Sequence, residues 1–431
     1  MSGLAIGIVV LNVVLALLFS LGAAPILVWI ERRVAGLIQD RLGPNRCHIA
    51  GIRLGGLVQS LADMLKLFFK EDFRANAIRE KFLFSLAPVI VFVSAFLSFM
   101  VMPFADDIYV EGERFIMQGL PIDTGILWFL ALAGLSVYGI MIGGWASRNK
   151  YALLGAMRSG AQVISYEAAM GLSLISVLLC YPSVQLGDIV RAQGELLGGI
   201  LPAWGIFLQP LAALIFIVTA FAEANRTPFD LAEGESEIVG GFHTEYGAMR
   251  FGLFFVGEYV AMSASSALIV TLFFGGFQLP YLNTQTLHVT MPLILGAIAI
   301  VVPLGSFYCI RWIRKHNRWA LPNDCRNRES AWLSNIIIGL NGVLAAGIGY
   351  VWIVGLSSFS TQMLTALLQV VTFALKLLAM NFVFVWVRWT LPRFRYDQLQ
   401  MLGWKVLMPL ALANIIVTAS VIVLRGGVNG C

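Results

Sequence analysis

Between Phe221 and Tyr259 lie Glu223, Asp230, Glu233, Glu235, Glu237, Glu245 and Glu258, seven of the chain's 24 acids. Long apolar runs, 201–221 and 251–277, flank this stretch. Carboxylates this crowded, with Arg226 and Arg250 as the local bases, cannot all stay ionised cheaply. Some of them should exchange protons near neutral pH. Thr227–Pro228–Phe229–Asp230 has the chemistry of a helix start: Thr can cap, Pro suits the first turn, and Asp accepts amide hydrogen bonds. A helix from Pro228 places Asp230, Glu233 and Glu237 on one face. A solvated acidic loop is the plain alternative. It leaves Glu223 and Glu258 unexplained, because they carry the acidic series into the apolar runs, where an ionisable group marks function.

Other charged residues stand in equally apolar surroundings. Glu167 enters an apolar run and should face protein or a water-filled cavity, unless it snorkels to the interface. Lys376 sits inside one, where an ammonium must find a partner or lose its proton. Arg393, Arg395, Tyr396 and Asp397 are close enough in sequence to form a network. The five cysteines and four histidines are dispersed, and none stands at metal-ligand, iron–sulfur or haem spacing. The expectation is therefore no metal and no redox centre on this chain, and no catalytic residue of its own.

The elements that must position these groups are membrane helices. The chain has 431 residues, is 59% hydrophobic and 12% charged, and has a mean hydropathy of +0.83. That composition is polytopic, with no separate soluble domain and no footing for a nucleic-acid partner. Ten spans are expected, at 4–27, 82–102, 125–145, 161–181, 201–221, 251–277, 289–310, 334–354, 363–387 and 406–424. The first is too long for a signal-peptide core and is read as a retained helix. With both termini outside, the inside loops hold 25 of the 29 Lys and Arg, a strong positive-inside asymmetry. The first inside loop opens with residues 29–46, turns at Gly43–Pro44–Asn45, and resumes helical periodicity at Leu54, Leu57, Val58, Leu61, Leu65 and Phe68. Asp63, Lys66 and Lys70 fall on the opposite side, which describes an amphipathic helix lying in the interface. Between 285 and 360 two apolar segments join through a basic loop and carry no buried charge, which reads as an accessory hairpin.

Five blocks are long and specific: ERRVAGLIQDRLGPNR, ADMLKLFFKED, SRNKYALLGAMRSGAQVISYE, AEANRTPFDLAEGESEIVGGFHTEY and WVRWTLPRFRYDQLQMLGWK. In these the chain resembles the family of quinone-chamber membrane subunits of proton-pumping NADH–quinone oxidoreductase, respiratory complex I. The resemblance implies an all-α membrane protein with an eight-span core (1–284 and 361–431) interrupted by the two-helix hairpin at 285–360. It implies a chamber that admits ubiquinone or menaquinone from the lipid, walled by Glu31, Arg32, Arg33, Arg41, Asp63, Lys66, Arg226, Phe229, Asp230, Arg393, Arg395, Tyr396 and Asp397. It implies that Glu167, Glu223, Glu233, Glu235, Glu237, Glu245 and Glu258 couple quinone chemistry to proton movement. FMN and iron–sulfur clusters are then expected only in partner subunits, the peripheral-arm and small membrane subunits of the complex, in a bacterial inner membrane. A membrane subunit of an energy-converting hydrogenase shares the fold but carries degraded versions of the first and last blocks. A proton-coupled transporter would show matched halves, and no internal repeat is evident.

Overall fold

The computed structural model describes residues 3–424 apart from 50–52, 77, 111, 182, 198, 200, 235–237, 317–324 and 356. Backbone groups in lipid have no water partner, so each apolar run must close its hydrogen bonds within itself, as a helix. The described residues are accordingly mostly helical. Among the described residues nine helices are long and apolar enough to cross a membrane, and Pro210–Glu223 is a shorter tenth.

The first span is α1 (Gly3–Ser20) running through a bend at Leu21 and Gly22 into α2 (Ala23–Ile38). It reaches Ile38, well past the expected end at residue 27. Its last turns keep helical periodicity, with Glu31, Val34 and Ala35 buried and Arg32 exposed. An amphipathic end of this kind prolongs a helix beyond the apolar boundary. The interfacial helix is present as α3 (Val58–Phe69), and its Leu61, Leu65 and Phe68 are exposed for lipid to cover.

Next come α4 (Lys81–Phe99), α5 (Gly125–Ala146) and α6 (Lys150–Cys180). At the far end of α4 a two-stranded hairpin, β1 (Ile108–Val110) and β2 (Glu113–Phe115), pairs Ile108 with Phe115. After α6, α7 (Leu186–Ala192) brings Arg191 to Asp106, Asp107 and Asp188 at 2.8, 2.6 and 2.5 Å. Burial alone would raise the Asp188 carboxyl, but hydrogen bonds from Arg191 and Ser183 hold it below the usual range.

The fifth span differs from expectation. The expected start is Leu201, but Leu196–Leu197 (β3) pairs with Leu201–Pro202 (β4), and α8 starts only at Pro210 and ends at Glu223. A proline lacks the N–H that a helix interior needs and is tolerated at the first turn, so Pro210 sets the start.

The helix that the others surround is α9 (Ala248–Phe273), which packs on α2, α3, α4, α8 and α12 (Ser358–Thr390). Its run 261–267 is small residues apart from Met262, which lets neighbouring backbones approach closely. Ser266 Oγ donates to Asn381 Oδ1 at 3.0 Å across that contact. Two long helices follow, α10 (Thr284–His316) and α11 (Cys325–Val354). The last two spans are α12 and α13 (Tyr396–Leu424).

Candidate functional site

The acidic stretch does not open as a helix. Residues 228–234 form turns: Phe229 N–H donates to Arg226 O at 2.8 Å and Leu231 N–H to Phe229 O at 3.1 Å. Tertiary contacts outweigh the capping signal here. Phe229 is buried between Tyr166 and Phe394, at ring distances of 5.5 and 5.4 Å, while Asp230 is drawn to Arg393 at 2.8 Å. The loop then folds onto itself at Gly241, where φ is +64° and a Cβ would lie 1.8 Å from Ala232 O, so only glycine fits.

This folding assembles a buried network from four separate parts of the chain. Glu31 of α2 is 9% exposed. It accepts from the Tyr259 hydroxyl at 2.7 Å and pairs with Arg388 of α12 at 2.7 Å. Arg226, 3% exposed, stands 3.5 Å from Glu31 and 3.8 Å from Glu258, and its guanidinium lies 4.2 Å over the Tyr259 ring. Glu258 and Glu233 are within hydrogen-bonding reach of each other. Glu233 also stands 3.8 Å from His243 Nδ1.

Two groups outside the spans show how the network sets charge. Burial opposes the Arg226 charge, but Tyr259, Glu31 and Glu258 together hold the guanidinium above its ordinary range. Burial and the nearby Glu233 push the Asp230 carboxyl up to about 7, against the opposing pull of Arg393. The carboxyl therefore changes charge near neutral pH, with an arginine 2.8 Å away to register it.

A mostly apolar cavity of about 240 Å³ leads to this network. Leu21, Ala24 and Val28, the face of α3 with Met64 and Phe68, and Leu253 and Val256 of α9 line it. Arg32 and Asp63, paired at 2.5 Å, also contribute to its wall. Tyr259 lines the cavity, and its hydroxyl donates to Glu31. A long apolar molecule with a polar head could lie in such a space and meet the charges through that tyrosine.

The remaining residues singled out from sequence divide clearly. Arg33 bonds the Gly55 carbonyl beside α3. Glu167 and Glu223 are near enough for their charges to interact, and one Glu223 oxygen is buried without a hydrogen-bond partner. Lys376 finds its partners in three backbone carbonyls, Phe274, Gly276 and Gln278, at 2.8, 3.0 and 2.6 Å. Glu245 stands apart, accepting from Asn149 at 2.7 Å. Arg41, Lys66, Arg395, Tyr396 and Asp397 are exposed, so of the residues singled out in the last block only Arg393 enters the network, beside its neighbour Arg388. Glu235 and Glu237 lie outside the described residues. Two participants are not singled out by the sequence. Tyr259 directly follows Glu258, and Arg388 opens the last basic loop; both are legible only as neighbours of residues already marked.

Comparison with known proteins matches residues 10–325 and 329–419 to the NADH dehydrogenase family. An NADH-quinone oxidoreductase subunit of Bdellovibrio bacteriovorus is 39% identical over 96% of this chain and 95% of its own. The corresponding NADH-quinone oxidoreductase subunit of Geobacter metallireducens is 39% identical over 99% of this chain and 100% of its own. A third, from Rhodothermus marinus, is 40% identical over 92% of each chain.

Proposed function

The chain belongs to the NADH dehydrogenase family, as a multi-pass membrane subunit of an NADH–quinone oxidoreductase, and on that premise we propose how it works. The cavity between α1–α2, α3 and α9 takes in the quinone from the lipid. The network around Arg226 responds to the charge that quinone reduction creates. Quinone reduction takes up two protons and two electrons. Electrons arrive from iron–sulfur clusters and FMN in partner subunits. Protons leave carboxyls such as Glu233 and Glu258 or are replaced on them, so the network changes charge as the quinone does. The bases Arg226, Arg388 and Arg393 steady negative charge in a buried site that excludes water. Glu167 and Glu223 extend the acidic path along α6 and α8, and Glu235, Glu237 and Glu245 belong to the same acidic series. On this reading the core is 1–284 with 361–431, and 285–360 is an inserted hairpin. The termini face the outside of a bacterial inner membrane.

The observation that carries the reading is Tyr259, one side chain shared by the apolar cavity and the charge network. Tyr259→Phe keeps the ring and removes the hydroxyl. It should lower quinone-reductase turnover by about tenfold through the hydrogen bond that Glu31 loses. NADH oxidation by ferricyanide, which draws electrons before the quinone, should be unchanged. Val256→Trp, which fills the cavity, should raise the KM for quinone. Normal quinone kinetics in both variants would remove the cavity from the reaction.

A further inference from the structure

The hairpin is not wholly detached from the core. Among the described residues its α11 reaches the short turn Leu54–Gly56 that leads into α3. The Gly55 N–H donates to Glu329 Oε1 at 2.9 Å, and Glu329 is 8% exposed. The other side of the same residue is held by α2. The Gly55 carbonyl accepts from Trp29 Nε1 at 3.1 Å and from Arg33 Nε at 3.1 Å, with Arg33 Nη2 also in contact. Glu329 is also close enough to Arg33 for their charges to attract. Gly55 has φ +63°, a conformation that favours glycine and fixes the direction in which α3 departs.

From this we propose that Glu329 is a positioning residue for the quinone entrance. One carboxylate of the hairpin clamps Gly55 against Trp29 and Arg33, and so sets how α3 lies along the cavity. The consequence passes along α3 to Asp63, which pairs with Arg32 at the cavity wall. A carboxylate accepting a backbone N–H makes a strong, directional bond. A partly buried bond of that kind outlasts the fluctuations of an interfacial helix that is otherwise exposed along much of its length. The hairpin then has a task inside the core although its helices share little surface with it. The proposal rests on the cavity being the quinone entrance.

The test uses the assembled membrane complex carrying Glu329→Ala or Glu329→Gln in the full chain, assayed with a short-chain ubiquinone. Glu329→Ala should raise the KM for quinone by about tenfold and leave kcat within about twofold, because misplacing a binding wall weakens binding before it slows chemistry. Glu329→Gln keeps an acceptor oxygen for the Gly55 N–H and should restore most of the affinity. Amide hydrogen exchange across residues 53–57 should quicken in the alanine variant and stay slow in the glutamine variant. This second readout holds even if the alanine complex assembles poorly. An unchanged KM together with unchanged exchange in Glu329→Ala would overturn the proposal. Asp63→Asn serves as the reference for the entrance itself. If it raises the KM while Glu329→Ala does not, the clamp alone is wrong; if neither does, the entrance reading fails first.

Discussion

α9 and the α10–α11 hairpin are made of similarly apolar residues and end in opposite surroundings. The most apolar stretch of α9 is 72% buried, against 6% for α10 and α11. The difference lies in what interrupts the apolar pattern. α9 carries Glu258, Tyr259 and a run of serines and alanines, so it can be approached closely and has charges for neighbours to satisfy. The apolar part of the hairpin offers large exposed side chains such as Leu293, Ile300, Leu304 and Leu340. In lipid, which is as apolar as leucine, no hydrophobic force draws such helices inward. Helix packing here therefore follows small and polar residues, and hydropathy alone does not separate a central helix from a peripheral one.

Substitutions in the two regions should differ by orders of magnitude. Arg226→Ala should do the most damage, because it takes from Glu258 the arginine 3.8 Å away and leaves Glu31 with Arg388 alone. Breaking a buried pair in this way costs about 3–5 kcal/mol. The expected result is loss of the assembled subunit on a native gel, and a normal yield of active complex would sink the account of the network. Lys376→Met removes three bonds to the carbonyls beyond α9. It should cost about 2 kcal/mol, at the strength of bonds to a charged group, seen as a lower midpoint in thermal unfolding of the purified complex.

Asp230→Asn gives a subtler, pH-dependent effect. The Asp230 carboxyl is held up to about 7, so it is neutral below that pH and anionic above it. A carboxyl raised on folding binds its proton more tightly in the folded chain. Its contribution to stability therefore declines as pH rises from the ordinary carboxyl value to about 7, and is flat above that. Quinone-reductase activity of the native complex should show an inflection near about 7 that Asp230→Asn removes; an inflection that survives would assign it elsewhere. The smallest effect belongs to the contact between the two helices of the hairpin. Asn341 Nδ2 donates to Ser306 Oγ at 2.8 Å between α10 and α11. Interhelical bonds of this sort contribute about 0.6 kcal/mol, so Asn341→Leu should leave both assembly and turnover intact. A severe defect would mean that the hairpin is no periphery.

The helices and their order are legible because membrane spans announce themselves by length and hydropathy. The departures are local. The break before Pro210 is marked by Pro202, Gly205 and Pro210, punctuation that a hydropathy window averages away. The start at Thr227–Pro228 reads as a helix because capping chemistry is a short-range signal, whereas Tyr166, Phe394 and Arg393 that hold Phe229 and Asp230 lie far off in sequence. The acids are found readily, since a carboxylate beside an apolar run stands out. Their partners are not. Glu31 meets Arg388 across more than three hundred residues, and Glu329 meets Gly55 across a similar gap. Pairings of that span are set by how helices pack, and no local pattern reports them.

Lys376 fixes the far end of α9 by gathering the carbonyls of Phe274, Gly276 and Gln278 onto one ammonium. Toward the other end the same helix carries Glu258, which meets Arg226 of the acidic loop. A rod held at one end and pushed at the other pivots like a lever. The expected response of α9 to the acids is then a swing about Lys376, with the displacement growing toward Ala248. Distance labels placed near Met249 and near Leu272 would read this directly, the first moving through a wide arc and the second staying almost still.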